Sequence, residues 1–271
     1  MRRNLTLAVI ALGFIGTAAW ADGVPRRAAA PCCEAPFAGA YVGAALGYGR
    51  QRVEVTDITP GAPAFGQSFA DHEGAFTFGG YAGYNWQHCC SPIVFGLETD
   101  INYLNSSPTA RDREPPGAGG LPETTNLESK INWFGTLRGR AGFVVHDHLL
   151  LYATGGLAYA NVDHILSDDC VGCGDPVFNV NFGTFSQSND KTKIGWTVGG
   201  GGELLHDSNW VLRAEALFVD LGNETHSYVV PDPLGGAPAT ALAKWQDEFW
   251  VARLGVAYKF SEPGCCAAPL K

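Results

Sequence analysis

Two features common among membrane-anchored and nucleic-acid-binding proteins are missing from this sequence of 271 residues. After residue 21, no run approaches the roughly 18 consecutive apolar residues that a transmembrane helix needs. Basic residues are scarce: 18 Lys and Arg stand against 27 Asp and Glu, and the formal net charge is −9. This balance argues against nucleic acid as a partner and against electrostatic binding of anionic lipid through a cluster of basic residues. A helical membrane span and a nucleic-acid partner are therefore both excluded.

The N-terminal segment has the features of an export signal. Arg2 and Arg3 precede an apolar stretch, and Ala-Trp-Ala at 19–21 has the small-x-small pattern that signal peptidases cut. We expect residues 1–21 to be a signal peptide that is removed on export. Residues 22–36 would then form a periplasmic N-terminal segment of the mature chain.

Glycine, in contrast to basic residues, is abundant in this sequence. The chain has 35 glycines beside seven tryptophans and a single methionine. Glycine is normally depleted in strands, because it loses more backbone entropy than other residues and has no side chain to pack. Here many glycines alternate with aromatic and aliphatic residues. A narrow barrel lumen gives a reason for them, since inward side chains compete there for very little space.

Eight segments have strand character, and each is long enough for the roughly 9–11 residues that a tilted strand needs to cross a bilayer. They are residues 37–55, 75–86, 93–104, 127–145, 149–165, 191–205, 210–223 and 247–260. The connections at 87–92, 146–148 and 206–209 are short, whereas those at 56–74, 105–126, 166–190 and 224–246 are long and polar. This alternation is typical of an outer-membrane barrel with short periplasmic turns and long external loops. We therefore predict an all-β fold, an eight-stranded antiparallel up-and-down transmembrane β-barrel over residues 37–260, with both termini periplasmic.

The faces of the predicted strands agree with a barrel. In the third strand, Phe95 and Leu97 alternate with Gly96 and Glu98, so polar residues share a face with the glycines. The pattern is apolar outside and polar inside, the inverse of a soluble domain. A soluble β-sandwich remains the alternative, but it would have to carry charges on one face and tryptophans on the other.

Four acids and four bases fall on the predicted lumen face. They are Glu98, Asp100, Glu203, Glu215, Arg138, Arg140, Arg213 and Arg253. Buried charges are tolerable when they pair with one another, so the equal count suggests a mutually satisfied network. Such a network could plug the barrel or line an ion path. The interior of an eight-stranded barrel is just filled by side chains, which favours a plug.

Short motifs in a fixed order carry a resemblance to a known family. They are Tyr-Val-Gly at 41–43, Tyr-Ala-Gly-Tyr-Asn at 81–85, Gly-Leu-Glu at 96–98, Leu-Arg-Gly-Arg-Ala-Gly at 137–142, Tyr-Ala-Thr-Gly-Gly-Leu-Ala-Tyr at 152–159, Arg-Ala-Glu-Ala at 213–216 and Arg-Leu-Gly-Val-Ala-Tyr-Lys-Phe at 253–260. The set resembles the small outer-membrane β-barrel family of alphaproteobacteria, the Omp25/Omp31-type surface proteins, which are distantly similar to OmpA-type and OmpX-type barrels.

The resemblance implies a location in the cell outer membrane and a role in envelope integrity or surface contact. It also implies outer-membrane lipid, lipopolysaccharide and the barrel-assembly machinery as partners, and some members are described as haemin binders or porin-like.

One departure from the family pattern concerns the end of the chain. Barrels of this kind end at the aromatic residue that the assembly machinery reads, whereas here Phe260 is followed by a tail, residues 261–271, which we expect in the periplasm.

Eight cysteines are the unusual feature of the sequence. They are Cys32, Cys33, Cys89, Cys90, Cys170, Cys173, Cys265 and Cys266. The barrel topology would gather the three vicinal pairs at one sector of the periplasmic rim. We predict disulfides there, because export is oxidising and vicinal pairs lack zinc-ligand spacing. The alternative is a thiolate and imidazole site for a soft metal, with histidines of the short turns such as His88, His146, His148 and His206.

No arrangement of nucleophile, base and acid rises above chance, and we expect a non-enzymatic protein with four large surface loops. Two other functions remain open. A small-solute porin would need an open lumen. A surface receptor for haemin or another ligand would act through its loops, where His72, His164 and His226 could reach haem iron. The oligomeric state is left open.

Overall fold

Nine antiparallel strands form almost all of the part of the chain that the computed structural model describes, residues 35–61, 65–114, 123–146, 148–168, 185–206, 209–230 and 239–260. They are β1 (Gly39–Asp57), β2 (Ser68–Gln87), β3 (Ile93–Ser106), β4 (Thr109–Glu114), β5 (Glu123–Val145), β6 (Leu149–Asp168), β7 (Phe185–Leu205), β8 (Trp210–Val230) and β9 (Ala239–Lys259). Within these ranges, no helix is long and apolar enough to cross a membrane.

The sheet closes into a ring of eight strands. Each long strand pairs with its neighbours in the chain, β1 pairs with β9, and β3 pairs with β5. The short β4 is a continuation of β3. The strand is interrupted at Ser107 and Pro108, and β4 then pairs with β5 beyond this interruption. Proline has no N–H to donate to a ladder, which fits an interruption at this point. The predicted eight-stranded antiparallel up-and-down barrel is confirmed.

The strands are longer than predicted. Seven of them have 19 to 23 residues. β2 begins at Ser68 instead of residue 75, and β9 begins at Ala239 instead of residue 247. Much of the sequence that we assigned to long loops is therefore strand. The prediction was wrong there because the outward residues of these extensions are polar, so the alternation that marks a membrane strand is lost on that face.

Exposed aliphatic and aromatic side chains form one band around the barrel, which we call the apolar belt. It comprises the outward residues of 42–48, 76–86, 93–103, 137–143, 151–157, 194–204, 210–216 and 250–260. Six of these segments adjoin the short turns, and 42–48 and 250–260 lie beside them at the start of β1 and the end of β9. The belt therefore covers one half of the barrel, the short-turn end. Trp86, Trp210, Tyr258 and Phe260 are exposed at its margin, as an interfacial aromatic girdle would be. The other half, the loop end, consists of the extensions of the same strands beyond the belt.

The lumen is filled in layers, and their order can be followed along β9. From the short-turn end, Ala257 belongs to a small apolar cluster, Arg253 to the predicted charges, and Phe249 to a larger apolar cluster. Asp247 and then Trp245 follow towards the loop end. The larger cluster, called the apolar layer below, consists of Leu104, Ile131, Phe134, Ala158, Ala160, Val162, Val219, Leu221, Phe249 and Val251. Our expectation of a polar lumen was therefore wrong for part of its length.

Glycine at inward positions has the predicted reason. A Cβ built on Gly43 would lie 2.5 Å from the ring of Tyr81, and one on Gly47 would lie 2.7 Å from the Cβ of Arg253. Real side chains do not approach so closely. The large side chains of Tyr81 and Arg253 can therefore lie across β1 only because their partner positions on that neighbouring strand have no side chain.

A gap between β7 and β8 interrupts the ladders of the barrel wall. β7 and β8 pair from Leu205↔Val211 only as far as Trp196↔Asp220. Above this point a bulge in β8 shifts its register against β9 between Asp220 and Asn223, and Gly222 adopts a left-handed φ of 70°. Among the described residues, 185–195 of β7 and 221–230 of β8 form no backbone ladder with each other, although each remains paired with its other neighbour. We call this gap the seam.

Replacement of the bulge glycine should destabilise the barrel. Gly222→Ala puts a Cβ on a left-handed residue, which costs about 1–2 kcal/mol. Gly80→Ala is the matched control, because a Cβ there has no neighbour closer than 3.7 Å and φ is ordinary. Urea unfolding of the refolded protein in lipid vesicles, followed by tryptophan fluorescence, measures the difference. Equal unfolding midpoints for the two variants would show that the bulge needs no glycine.

Candidate functional site

All eight predicted lumen charges meet in one buried layer, called the charge layer below. Each of them is 5% exposed or less: Glu98, Asp100, Arg138, Arg140, Glu203, Arg213, Glu215 and Arg253. They come from β3, β5, β7, β8 and β9, and pairs of them share a strand at a spacing of two residues. In a strand, that spacing puts both side chains on one face.

The strand register brings opposite charges face to face. Glu98 is the partner of Arg138 across the β3–β5 ladder, and Glu215 is the partner of Arg253 across the β8–β9 ladder. Glu203 and Arg213 face each other in the same way between β7 and β8. Directly opposite pairs of unlike charge stabilise an antiparallel ladder. Ladder pairing therefore places three of the four acids directly beside a base.

Arg138 lies where several acids converge. Its Nη2 is 2.5 Å from Glu98 Oε1 and 3.0 Å from Asp100 Oδ2, and its Nη1 is 3.0 Å from Glu215 Oε1. Arg253 contacts two of the same carboxylates, with its Nη2 2.7 Å from Asp100 Oδ2 and 2.6 Å from Glu215 Oε2. Two guanidinium groups thus share two carboxylates.

The second half of the charge layer is built in the same way. Arg213 Nη2 is 2.6 Å from Glu98 Oε2 and 2.5 Å from Glu203 Oε1. Arg140 Nη2 is 2.8 Å from Glu203 Oε1, and Arg140 Nη1 is 3.3 Å from Glu98 Oε2. Glu98 therefore links the two halves, because it contacts Arg138, Arg140 and Arg213.

Tyrosines that the sequence reasoning missed complete the charge layer. Tyr41 donates its hydroxyl proton to Glu98 Oε2 at 2.7 Å, and Tyr152 donates to Glu215 Oε1 at 2.8 Å. The guanidinium of Arg140 lies 4.0 Å from the centre of the Tyr152 ring. Tyr41 and Tyr152 occur at alternate positions within glycine-rich strands, and that alternation was the available signal for an inward direction.

A second polar group lies beyond the apolar layer, outside the belt, and we call it the upper polar cluster. It consists of Gln51, Ser129, His164, Lys193, His226 and Asp247. Asp247 Oδ2 is 2.8 Å from His164 Nε2 and 2.9 Å from Lys193 Nζ, and Asp247 Oδ1 accepts a hydrogen bond from Ser129 Oγ at 2.5 Å. Burial alone would raise the pKa of Asp247, but the hydrogen bond and charge of His164, together with Lys193, hold that pKa far below its usual range. Asp247 is therefore an ionised carboxylate.

Two of the three histidines predicted on the loop side of the barrel are buried. His164 is in β6 and His226 is in β8, and both side chains are buried inside the barrel. His164 Nδ1 is 2.9 Å from His226 Nε2, and the ring of His164 stacks on Trp245 with centroids 4.3 Å apart. His72 is exposed on β2. The segments predicted as loops at His72 and His226 are strands, whereas His164 lies in a strand as predicted.

The rim cysteines are described only in part. Cys89 and Cys90, in the turn between β2 and β3, are both disulfide-bonded. A disulfide has no thiolate to offer, so the soft-metal alternative is wrong at these two positions. The described residues also contain no group of three or more His, Cys, Asp or Glu side chains that could hold a metal ion. The other predicted cysteines lie outside the described residues: Cys32, Cys33, Cys170, Cys173, Cys265 and Cys266.

Removal of one charge from the charge layer should cost far more than removal of a surface charge. Arg138→Met removes the guanidinium that contacts Glu98, Asp100 and Glu215 together, and breaking a buried network in this way costs about 3–5 kcal/mol. Arg52→Met is the matched control, since Arg52 pairs with Glu54 and Glu248 but its side chain is 42% exposed. That surface change should cost about 1 kcal/mol or less. Urea unfolding midpoints in lipid vesicles measure the loss of stability in both variants. Similar midpoints for the two variants would show that the buried network does not hold the barrel together.

The comparisons with known proteins agree with this architecture. A family model described as outer membrane protein beta-barrel domain matches residues 7–260. The 31 kDa outer-membrane immunogenic protein of Brucella melitensis is 34% identical over 267 residues, which cover 95% of this chain and 100% of the relative. The 25 kDa outer-membrane immunogenic protein of Brucella abortus is 26% identical over 268 residues, covering 96% and 100%. The solved structure of the outer membrane protein OprG from Pseudomonas aeruginosa aligns with a TM-score of 0.45 at 12% identity, over 83% of this chain and 97% of that one. The resemblance to Omp25/Omp31-type proteins is confirmed, and the chain belongs to the outer membrane protein β-barrel family.

Proposed function

We propose that this integral outer-membrane protein is a sealed, non-enzymatic barrel that anchors a rigid surface structure and contributes to envelope integrity. The short-turn end and both termini would lie on the periplasmic side, and the loop end would face outwards, as in bacterial barrels of this kind. Outer-membrane lipid and lipopolysaccharide would surround the apolar belt. The barrel-assembly machinery would insert the chain.

The filled lumen carries the proposal. Two barriers lie in series along the barrel axis: the charge layer, whose ion pairs span the lumen, and the apolar layer, whose members are 3% exposed or less. A hydrated ion would have to break paired charges and then shed its water among groups that offer no hydrogen bonds. This arrangement supports a plug and argues against a small-solute porin.

The periplasmic mouth is also narrow. Phe37 is buried below the charge layer, and its backbone N–H donates to Gln87 Oε1 at 2.9 Å. The cavity between Phe37, Tyr41, Glu203 and Arg213 has a volume of only about 10 Å³. A space of this size is at the limit for a single water molecule.

The loop end supports a surface role. β7 runs from Phe185 to Ile194 before it reaches the belt, and strands rise roughly 3.3 Å per residue. The barrel wall would therefore project well beyond the bilayer as a continuation of the sheet. Two relatives are named as immunogenic proteins, which is in keeping with such exposure.

Conductance in planar bilayers tests the two barriers separately. The wild-type protein should give no steady ion conductance. Arg138→Ala with Glu215→Ala removes one ion pair and leaves the apolar layer, whereas Phe134→Ala with Phe249→Ala removes a ring pair 5.0 Å apart and leaves the charge layer. Neither double variant should conduct, because one barrier remains in each.

The combination of all four substitutions should open a path and give steady conductance. Heat-modifiable gel migration confirms that each variant has folded. Steady openings of the wild-type protein would contradict the seal and support the porin alternative. A silent, folded fourfold variant would show that other parts of the lumen close the barrel.

A further inference from the structure

Two recesses lie side by side on the outer surface of the barrel, where the apolar belt meets the short-turn end. The first, called the rim recess, has a volume of about 490 Å³ and lies between Tyr84, Trp86, His88, Ile93 and Phe95. The second, called the belt recess, has a volume of about 630 Å³ and extends from Trp86 and Phe95 over β5 and β6. The same two aromatic residues line both, so the recesses adjoin. Clefts of this volume are usual for small-molecule sites.

The belt recess exists because its floor has almost no side chains. Gly139 and Ala141 on β5 are the ladder partners of Gly155 and Ala153 on β6, and all four line the recess. A Cβ built on Gly139 would have no neighbour closer than 3.9 Å, so the packing of the protein does not require glycine there. Larger exposed side chains of the belt surround this floor: Phe95, Leu97, Leu137, Phe143, Leu151 and Leu157.

The belt recess is filled from the membrane. It is continuous with the apolar belt, which faces hydrocarbon in an integral outer-membrane protein, and an unfilled hollow would forfeit van der Waals contacts. Lipid tails are as apolar as the recess, so burial brings no hydrophobic gain and close packing decides what binds there. A slender acyl chain can follow this floor, whereas the convex wall of a second barrel would meet the surrounding side chains first.

The rim recess adds polar groups at the margin of the belt. His88 Nδ1 is 2.9 Å from the carbonyl oxygen of Cys89. A carbonyl only accepts, so Nδ1 carries the proton and Nε2 is left to take a second proton and donate to an anion. Ser91 Oγ accepts from the N–H of Ile93 at 3.1 Å and keeps its own hydroxyl proton for another acceptor. Trp86 adds an indole N–H, as interfacial tryptophans do. Within the described ranges, none of these three donors is paired with a carboxylate.

We propose that the two recesses form one binding site for a glycerophospholipid, with an acyl chain in the belt recess and the phosphate beside His88 and Ser91 in the rim recess. A site that is polar at one end and apolar at the other fits an amphiphile. The choice of phospholipid over lipopolysaccharide rests on the orientation given under the proposed function, because the short-turn end would lie in the periplasmic leaflet, which consists of phospholipid. The bound lipid completes the belt over Gly139 and Gly155.

Native mass spectrometry of the full-length protein in detergent tests the site. The refolded protein is titrated with phosphatidylglycerol, and the fraction of protein that carries one lipid gives the dissociation constant. We expect one saturable lipid per barrel. Lipid that adds in proportion to its concentration, without saturation, would overturn the proposal.

Matched glycine substitutions locate the acyl chain. Gly139→Leu fills the belt recess and should weaken binding about tenfold, because an overfilled site loses its fit. Gly80→Leu is the control: it puts the same side chain on an exposed belt position of β2 that lines neither recess, where a Cβ also has room. Ala141→Leu replaces Gly139→Leu if heat-modifiable migration shows that the latter does not fold. Wild-type affinity in a folded, filled variant would refute the acyl-chain position.

Matched histidine substitutions locate the phosphate. His88→Ala removes a donor to a charged group and should weaken binding about tenfold. His148→Ala is the control, since His148 is also exposed in a short turn, with Nδ1 3.2 Å from the carbonyl oxygen of His146, but lines neither recess. Equal losses in the two variants would indicate general attraction to the rim and count against the site.

Three further outcomes separate this site from its alternatives. Lipopolysaccharide binding that Gly139→Leu abolishes would contradict the phospholipid and the orientation. A dimer that Gly139→Leu abolishes would make the recess an interface between two copies and contradict the lipid site. A wild-type protein that binds no phospholipid and conducts no ions would refute the lipid site and leave the sealed barrel intact.

Discussion

Closure of the sheet is the constraint on which the rest of this structure depends. Once β1 pairs with β9, no edge strand remains in the belt, and every backbone group there is satisfied inside the ring. The same closure brings the large inward side chains together in one narrow lumen. Inward side chains therefore crowd one another, and Gly43 and Gly47 make room for the Tyr81 ring and the Arg253 side chain on the neighbouring strands.

The layered lumen follows from this narrowness. Four acids and four bases can be buried at one level only because each carboxylate meets guanidinium or hydroxyl groups at hydrogen-bonding distance. Isolated, any of them would cost several kcal/mol. The apolar layer above uses ordinary core packing, with Phe134 and Phe249 in edge contact. A membrane barrel thus has a core like that of a soluble protein on the inside and a lipid-facing belt on the outside.

The wall itself is uneven in strength. Below the bulge at Gly222, β7 and β8 are joined by a regular ladder, and above it they are joined by the side chains of Gln187, Asn189 and Lys191. Side-chain bridges depend on protonation and on rotamers, whereas backbone ladders do not. The part of the barrel outside the belt can tolerate such a seam because water can satisfy its unpaired groups, which lipid could not do.

The sequence by itself determined the class of fold, the number of long strands and the eight charges of the charge layer. These follow from alternation, which depends on local geometry alone: Glu98 and Asp100 share a face wherever the strand lies. Tertiary structure decided the rest. The extensions of the strands, the inward position of His164 and His226, the cluster around Asp247 and the seam all depend on which residues face one another across the ring. That register is set by ring closure and by the bulges in the ladders, and neither can be read from the spacing of residues along the chain.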